Sequence, residues 1–225
     1  MFHPFDIVMV PLQCILFFCS LYYCTIGFFG MFRFKEKKIL TPQKTFAVLV
    51  AAHNEEAVIG QLIDNLNQLE YPKELYNIFV IADNCIDKTA EVARKAGAIV
   101  CERFNDTDKG KGFALEWMFK RLFDMEREYD AVAVFDADNL VHPRFLLEMN
   151  NRLCKGDKII QGYLDSKNPY DTWISGTFSI AFWVIDHVWH LAKTNIGLSS
   201  VLGGTGMVIT TDVIRRHGWR ATCLT

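Results

Sequence analysis

Phe46-Ala47-Val48-Leu49-Val50-Ala51-Ala52-His53-Asn54-Glu55-Glu56 is an apolar run that ends in two carboxylates. The pattern recurs at Ile78–Ala82 before Asp83 and at Ala131–Phe135 before Asp136-Ala137-Asp138. Each run reads as a strand with acids at its end. In an open α/β sheet the ligand crevice lies outside the carboxyl ends of the parallel strands, so these acids are expected to converge on one site. Clustered Asp and Glu repel one another unless cations or hydrogen-bond donors fill the space, which points to a metal, an amide-bearing base or sugar hydroxyls.

Strands and helices alternate around these runs. Val58, Ile59, Leu62, Ile63, Leu66 and Leu69 mark one apolar face of a helix over Glu55–Leu69, and Tyr71-Pro72 breaks it. Asp87 reads as the cap of a helix through Ala96; Gly97 ends it before a short strand, Ala98–Cys101. Gly112–Phe123 is expected to be helical, and His142-Pro143 to open a helix reaching Leu153. Lys158–Tyr163 and Met207–Thr210 complete the strands. Such alternation predicts a layered α/β nucleotide-binding fold with a mostly parallel sheet.

The chain has 225 residues, 51% of them hydrophobic and 22% charged, with a net charge of −2. That balance supplies a core and gives no support to a nucleic-acid partner. Seven cysteines, an odd number without a C-x-x-C pair, support neither a disulfide framework nor a zinc knuckle and read as reduced thiols. No Asp, Glu, Lys or Arg occurs from Ile7 to Phe32. About 20 apolar residues suffice to cross a bilayer, and no basic segment precedes the run and no small-x-small cleavage site follows it, so it reads as a retained anchor. Arg33, Lys35, Lys37 and Lys38 follow, which by the positive-inside rule places the downstream domain in the cytosol. The expected organisation is an anchor at 1–34, a basic linker at 35–45 and an α/β domain at 46–225.

Val48–Glu55, Ile81-Ala82-Asp83-Asn84-Cys85-Ile86-Asp87, Lys109-Gly110-Lys111-Gly112 and Asp136-Ala137-Asp138, in this order, resemble the signatures of inverting family 2 glycosyltransferases. Each motif alone is weak, but the ordered set at strand and loop ends is specific. The resemblance covers about residues 44–225 and is closest to the membrane-bound, cellulose-synthase-like and hyaluronan-synthase-like branch. It implies a GT-A fold and a UDP-sugar donor. The single anchor, the glycine turn at 203–206 and the aromatic stretch at 173–189 together suggest an acceptor that arrives at the membrane face, either a lipid or a polysaccharide.

The resemblance places Glu55 and Asp83 against the uracil edge, with Ala51 and His53 lining the pocket. A carboxylate can accept from the imide N–H of that base. Glu56, expected in the first turn of the helix, reads as a structural acid favoured by the helix dipole. Asp138 is implied as the ligand of Mg²⁺ or Mn²⁺, and Asp136 is oriented to the ribose or the metal's shell. Lys111 would meet the diphosphate, and Gly110 and Gly112 permit close backbone approach there. Gln161, Gly204, Thr205 and Gly206 are placed beside the sugar and the acceptor.

Thr172–Lys193 carries Trp173, Phe178, Phe182, Trp183, Val188 and Trp189, interrupted by Asp186, His187 and His190. It reads either as a core helix or as one lying at a membrane interface or lining an acceptor groove. His187 and His190 have no third metal ligand nearby. A G-x-G-x-x-G turn after the first strand, which a nicotinamide dehydrogenase needs, is absent. The family's general base belongs to a T-E-D motif, with Q-x-x-R-W further on, and neither occurs before Thr225. The base is therefore expected beyond Thr225, in an enzyme of which this chain is a part. The alternative is a non-catalytic, membrane-anchored protein that binds a nucleotide sugar.

Overall fold

The computed structural model describes residues 4–32 and 39–220, with side chains from Ile7 onward. Arg33, Lys35, Lys37, Lys38 and the chain end at Leu224-Thr225 lie outside the described residues. In chain order the elements are α1 (Pro4–Phe29), β1 (Phe46–Ala52), α2 (Ile59–Leu66), β2 (Tyr76–Asp83), α3 (Thr89–Lys95), β3 (Ile99–Arg103), α4 (Lys111–Phe123), β4 (Ala131–Asp136), α5 (Phe145–Cys154), β5 (Ile159–Gln161), α6 (Trp173–Val184), α7 (Ala192–Asn195), β6 (Met207–Thr210) and α8 (Thr211–His217). The chain forms two compact units, Met1–Glu36 with Tyr163–Val201, and Lys37–Gly162 with Leu202–Thr225.

The larger unit holds one sheet in the order β3-β2-β1-β4-β6-β5. β3, β2, β1 and β4 are parallel, whereas β6 runs antiparallel to both β4 and β5. The side-chain period of two sends Phe46, Val48 and Val50 to one face, against Ile59, Leu62 and Leu146. Ala47 and Leu49 go to the other face, with Leu115, Met118 and Phe119 of α4. Both faces of the sheet are covered, which is why its central strands read as continuous apolar runs.

Several element bounds differ from the sequence reading. α2 begins at Ile59 and not at Glu55, because Asn54 takes a left-handed φ of 56° and side chains of the next loop capture the following amides. Glu56 therefore lies in a turn before the helix and not in its first turn. α5 begins at Phe145, two residues after Pro143. The strand expected at Lys158–Tyr163 shrinks to Ile159–Gln161. Residues 39–45, read as linker, are tied to α5, whose fully buried Asn150 accepts from the backbone N–H of Gln43 at 3.1 Å and of Lys44 at 3.2 Å. Asn151 Oδ1 accepts from Leu40 N–H at 2.8 Å. The Tyr71 hydroxyl donates to Lys44 O at 2.7 Å, and burial pushes its pKa up to about 12.

In the smaller unit, Ile7–Phe29 is a helix long and apolar enough to cross a membrane. α6, a π-helical stretch (Ile185–Leu191) and α7 form one continuous helical run, opened by a Thr172–Ser175 capping box. This run packs on the end of α1 where bulky side chains are missing: a Cβ on Gly27 would fall 3.0 Å from Val188, and one on Gly30, just past the helix, would run into the backbone carbonyl of His187. Tyr23 and Trp189 meet at 5.1 Å between ring centroids, and Asn195 Nδ2 donates to Phe29 O at 2.8 Å. Trp173 is 82% exposed and Phe178 61%, and the buried side chains of α6 and the π-stretch are only Ser179 and Asp186. The core-helix reading of Thr172–Lys193 is thus corrected: Trp173, Phe178, Phe182 and Trp183 face outward, while Trp189 packs on Tyr23. Asp186 accepts from Leu164 N–H at 3.1 Å and lies 3.2 Å from His190 Nδ1; burial pushes its carboxyl above the usual range.

Candidate functional site

Strand register brings the acids to one level. Ala51 of β1 lies opposite Ile81 of β2 and Asp136 of β4, while Asp83 at the end of β2 lies opposite Arg103 of β3. The loops that follow are braced to one another by side chains that mimic backbone. Asn54 Oδ1 accepts from Ile86 N–H at 2.9 Å, and Asn84 Oδ1 accepts from Asn105 N–H at 2.8 Å. Both asparagines have left-handed backbones, with φ of 56° and 50°. Asparagine tolerates that region better than most residues, so two short turns can leave the sheet side by side.

Around the first two strand ends, His53 Nδ1 sits 2.7 Å from Asp83 O, and Glu55 N–H donates to Thr89 Oγ1 at 2.7 Å. Glu56 is bound structurally, its carboxylate accepting from Lys88 N–H at 2.9 Å. Asp87 acts as a turn cap, accepting from Thr89 N–H at 2.9 Å and from Glu56 N–H at 3.1 Å. Desolvation raises its pKa, but the Thr89 hydroxyl and these two amides together outweigh it and hold the carboxyl below the ordinary range. Asp83 is buried and ion-paired to Arg103 Nη1 at 2.6 Å; Arg103 Nη2 also donates to Asp108 O at 2.6 Å. The sequence reading missed Arg103. Its signal was an arginine in the inward phase of β3, two residues after buried Cys101.

Beside β4 the acidic turn is closed by Asn139, whose N–H donates to Asp136 O at 3.2 Å. The strand ends at Asp136, so the two aspartates escape the alternation of a pleated strand. Asp136 N–H donates to Asn139 Oδ1 and to Thr205 Oγ1, each at 3.1 Å, and Thr205 Oγ1 donates to Asn139 Oδ1 in turn. Asn139 Nδ2 reaches Asp138 Oδ1 at 3.3 Å, and Asp138 is exposed. Lys111, the first residue of α4 after Gly110 with φ 105°, pairs with the Asp136 carboxylate and donates to Gly204 O at 2.7 Å.

Gln161 clamps the glycine loop. Its Oε1 accepts from Gly203 N–H at 2.7 Å and its Nε2 donates to Thr205 O at 2.9 Å. Gly206 N–H donates to Val134 O, and Gly162 N–H to Gly206 O, both at 2.8 Å. Gly204, Thr205 and Gly206 are thereby held against the acidic turn, and Gln161 acts through the loop. Among the described residues no three His, Cys, Asp or Glu side chains are placed to hold a metal together, His187 and His190 included. The six described cysteines are free, and only Cys101 is buried.

Residues 42–225 match the model of a family described as glycosyltransferase like family 2. The beta-monoglucosyldiacylglycerol synthase of Nostoc sp. is 37% identical over 122 residues, which cover 52% of this chain and 25% of that protein. This chain thus matches about a quarter of the length of that relative. The mannosyltransferase PcManGT of Pyrobaculum calidifontis, solved with GDP-Man and Mn²⁺, superposes with a TM-score of 0.71 at 17% identity over 97% of this chain and 60% of that one. Glucosyl-3-phosphoglycerate synthase of Mycobacterium tuberculosis, solved with Mn²⁺, UDP-Glc and phosphoglyceric acid, gives 0.51 at 19% over 76% and 58%. These likenesses establish a fold resembling the GT-A glycosyltransferases, and by the match over 42–225 the chain belongs to the glycosyltransferase-like family 2.

Proposed function

We propose that this chain carries the donor site of an inverting glycosyltransferase that passes a hexose or N-acetylhexosamine from a UDP-sugar to a lipid or polysaccharide acceptor at the cytosolic membrane face. The observation that carries the reading is the Asp136–Asp138 turn, where two carboxylates, the Lys111 ammonium and the 203–206 loop meet. Hard cations that keep open positions are bound by one or two carboxylates together with phosphate oxygens. The donor set therefore fits Mg²⁺ or Mn²⁺, held by Asp138 with Asp136, and when bound the ion would neutralise charge on the departing diphosphate. Lys111 supplies a second positive group for that charge. Both solved structures above hold Mn²⁺ and a nucleotide sugar, which supports the class of ligand.

Ala51, His53, Glu55 and Asp83 are assigned to the nucleoside. An acceptor at the membrane is supported by the beta-monoglucosyldiacylglycerol synthase among its relatives, by α1 and by the exposed aromatic residues of α6. The motif set and the apolar N-terminal helix favour the cellulose-synthase-like, membrane-bound branch. The domain order follows as an anchor through 34 and a donor domain from 46. Inverting transfer also needs a carboxylate that takes the acceptor hydroxyl proton. Asp83 and Asp136 are ion-paired and Asp138 is assigned to the cation, and that observation favours the second reading, a nucleotide-sugar-binding protein without transfer. Release of UDP on addition of membrane lipid separates the two.

The nucleoside assignment is tested with Asp83→Asn, which keeps the shape of the side chain but turns an acceptor into a mixed group. UDP and free uridine should both bind about tenfold more weakly, the loss of one charge-assisted hydrogen bond. Unchanged uridine affinity with an unchanged melting temperature would remove Asp83 from the base. Tighter binding of GDP than of UDP by the native chain would overturn the uracil assignment.

A further inference from the structure

We infer that Lys111 is an internal counter-ion that keeps the donor site closed to a free divalent cation, so that the protein takes its metal together with the nucleotide diphosphate and not before it. The inference rests on the donor-site reading above. Lys111 Nζ is bonded to the Asp136 carboxylate and to Gly204 O, the latter at 2.7 Å, and both are the hard oxygen donors that a divalent cation seeks. One ammonium thus ties the end of β4 to the 203–206 loop. What remains outward is Asp138, and among the described residues no third acidic, histidine or cysteine side chain joins the pair. Ions that prefer six or more oxygens gain little from one carboxylate, and the neighbouring ammonium repels them.

A diphosphate reverses the balance. It gives Lys111 a more highly charged partner, and the swing of Nζ away from Asp136 frees that carboxylate and the Gly204 carbonyl in one movement. The exchange is feasible because the pair is not deeply buried: the side chains are 30% and 42% exposed, so solvent screens their attraction. Lys111 also opens α4, a helix of 13 residues, whose first amides favour an anion at that end. The lysine therefore stands in the place of the cation in the free protein, and its partner changes when donor arrives.

The test is Mn²⁺ binding by the full chain in detergent, read from the electron paramagnetic resonance signal of free Mn²⁺, with and without UDP. Native protein should bind Mn²⁺ alone at least tenfold more weakly than in the presence of UDP. Lys111→Ala should raise the affinity for Mn²⁺ alone about tenfold while lowering UDP affinity, and Lys111→Arg should stay like the native chain in Mn²⁺ alone. Lys111→Ala with Asp136→Asn should lose the gain, because the freed carboxylate is gone. Circular dichroism melts confirm that each variant is folded. If Lys111→Ala leaves Mn²⁺ affinity unchanged or lower while Asp138→Asn abolishes metal-dependent UDP binding, the counter-ion role is wrong and the donor site stands. If Asp138→Asn changes nothing, the donor-site reading itself fails.

Discussion

Replacing Arg103 by leucine should cost about 3–5 kcal/mol of stability, the loss expected when one partner of a buried ion pair is removed. The two side chains are only 5% and 8% exposed, and their contact is 2.6 Å. Leucine leaves the Asp83 carboxylate in the interior without its counter-charge and leaves Asp108 O without its donor. Adding Asp83→Leu should recover most of the loss, since two packed apolar groups replace a pair that was costly to desolvate. Thermal unfolding in mild detergent, followed by circular dichroism, checks both steps. A single variant as stable as the native chain would mean that water reaches this pair. The double variant should still bind UDP and uridine at least tenfold more weakly than the native chain, which distinguishes its structural rescue from its damaged site.

Asn150→Ala should cost about 2–4 kcal/mol. The side chain is fully buried and serves four partners outside its own helix, besides the Cys154 thiol one turn on. Its Oδ1 accepts from Gln43 N–H, Lys44 N–H and the Tyr71 hydroxyl, and its Nδ2 donates to Thr41 O at 3.2 Å. Alanine strands several of these groups, and each unsatisfied buried group costs about 1–3 kcal/mol, reduced here because water can enter once the segment lifts. Backbone amides of 40–45 should then exchange with solvent faster than those of β1, which hydrogen exchange with mass spectrometry resolves. Equal protection of both segments would show that the segment is held by something other than Asn150.

The sheet was legible because its strands announce themselves. Phe46–Ala52, Ile78–Ala82 and Ala131–Phe135 are buried on both faces, so no polar residue interrupts them, and acids follow at their shared end. Strand direction was not legible at Lys158–Tyr163 or Met207–Thr210, because a period of two is the same in parallel and antiparallel pairing. The start of α2 was misplaced because the apolar spacing of Val58 and Ile59 reads on into Glu55, whereas the positive φ of Asn54 depends on contacts with the next loop. Arg103, Asn139 and Asn150 were missed for a related reason. Each works through partners distant in the chain: Arg103 through Asp83, Asn139 through Thr205 and Asn150 through the 41–44 backbone. The clamp that Gln161 places on the glycine loop was not legible either, since a glutamine that clamps backbone and one that touches sugar look alike in sequence.

In the proposed function, the crevice beyond β1, β2 and β4 binds a nucleotide diphosphate through a divalent cation held at Asp138. The most direct measurement is calorimetric titration of UDP into the full chain in Mn²⁺, repeated in EDTA, and then with Asp138→Asn. Affinity should fall at least tenfold in EDTA, and Asp138→Asn in Mn²⁺ should lose about 1–3 kcal/mol and become indifferent to EDTA. Equal affinity of the native chain for UDP with and without the metal would contradict it.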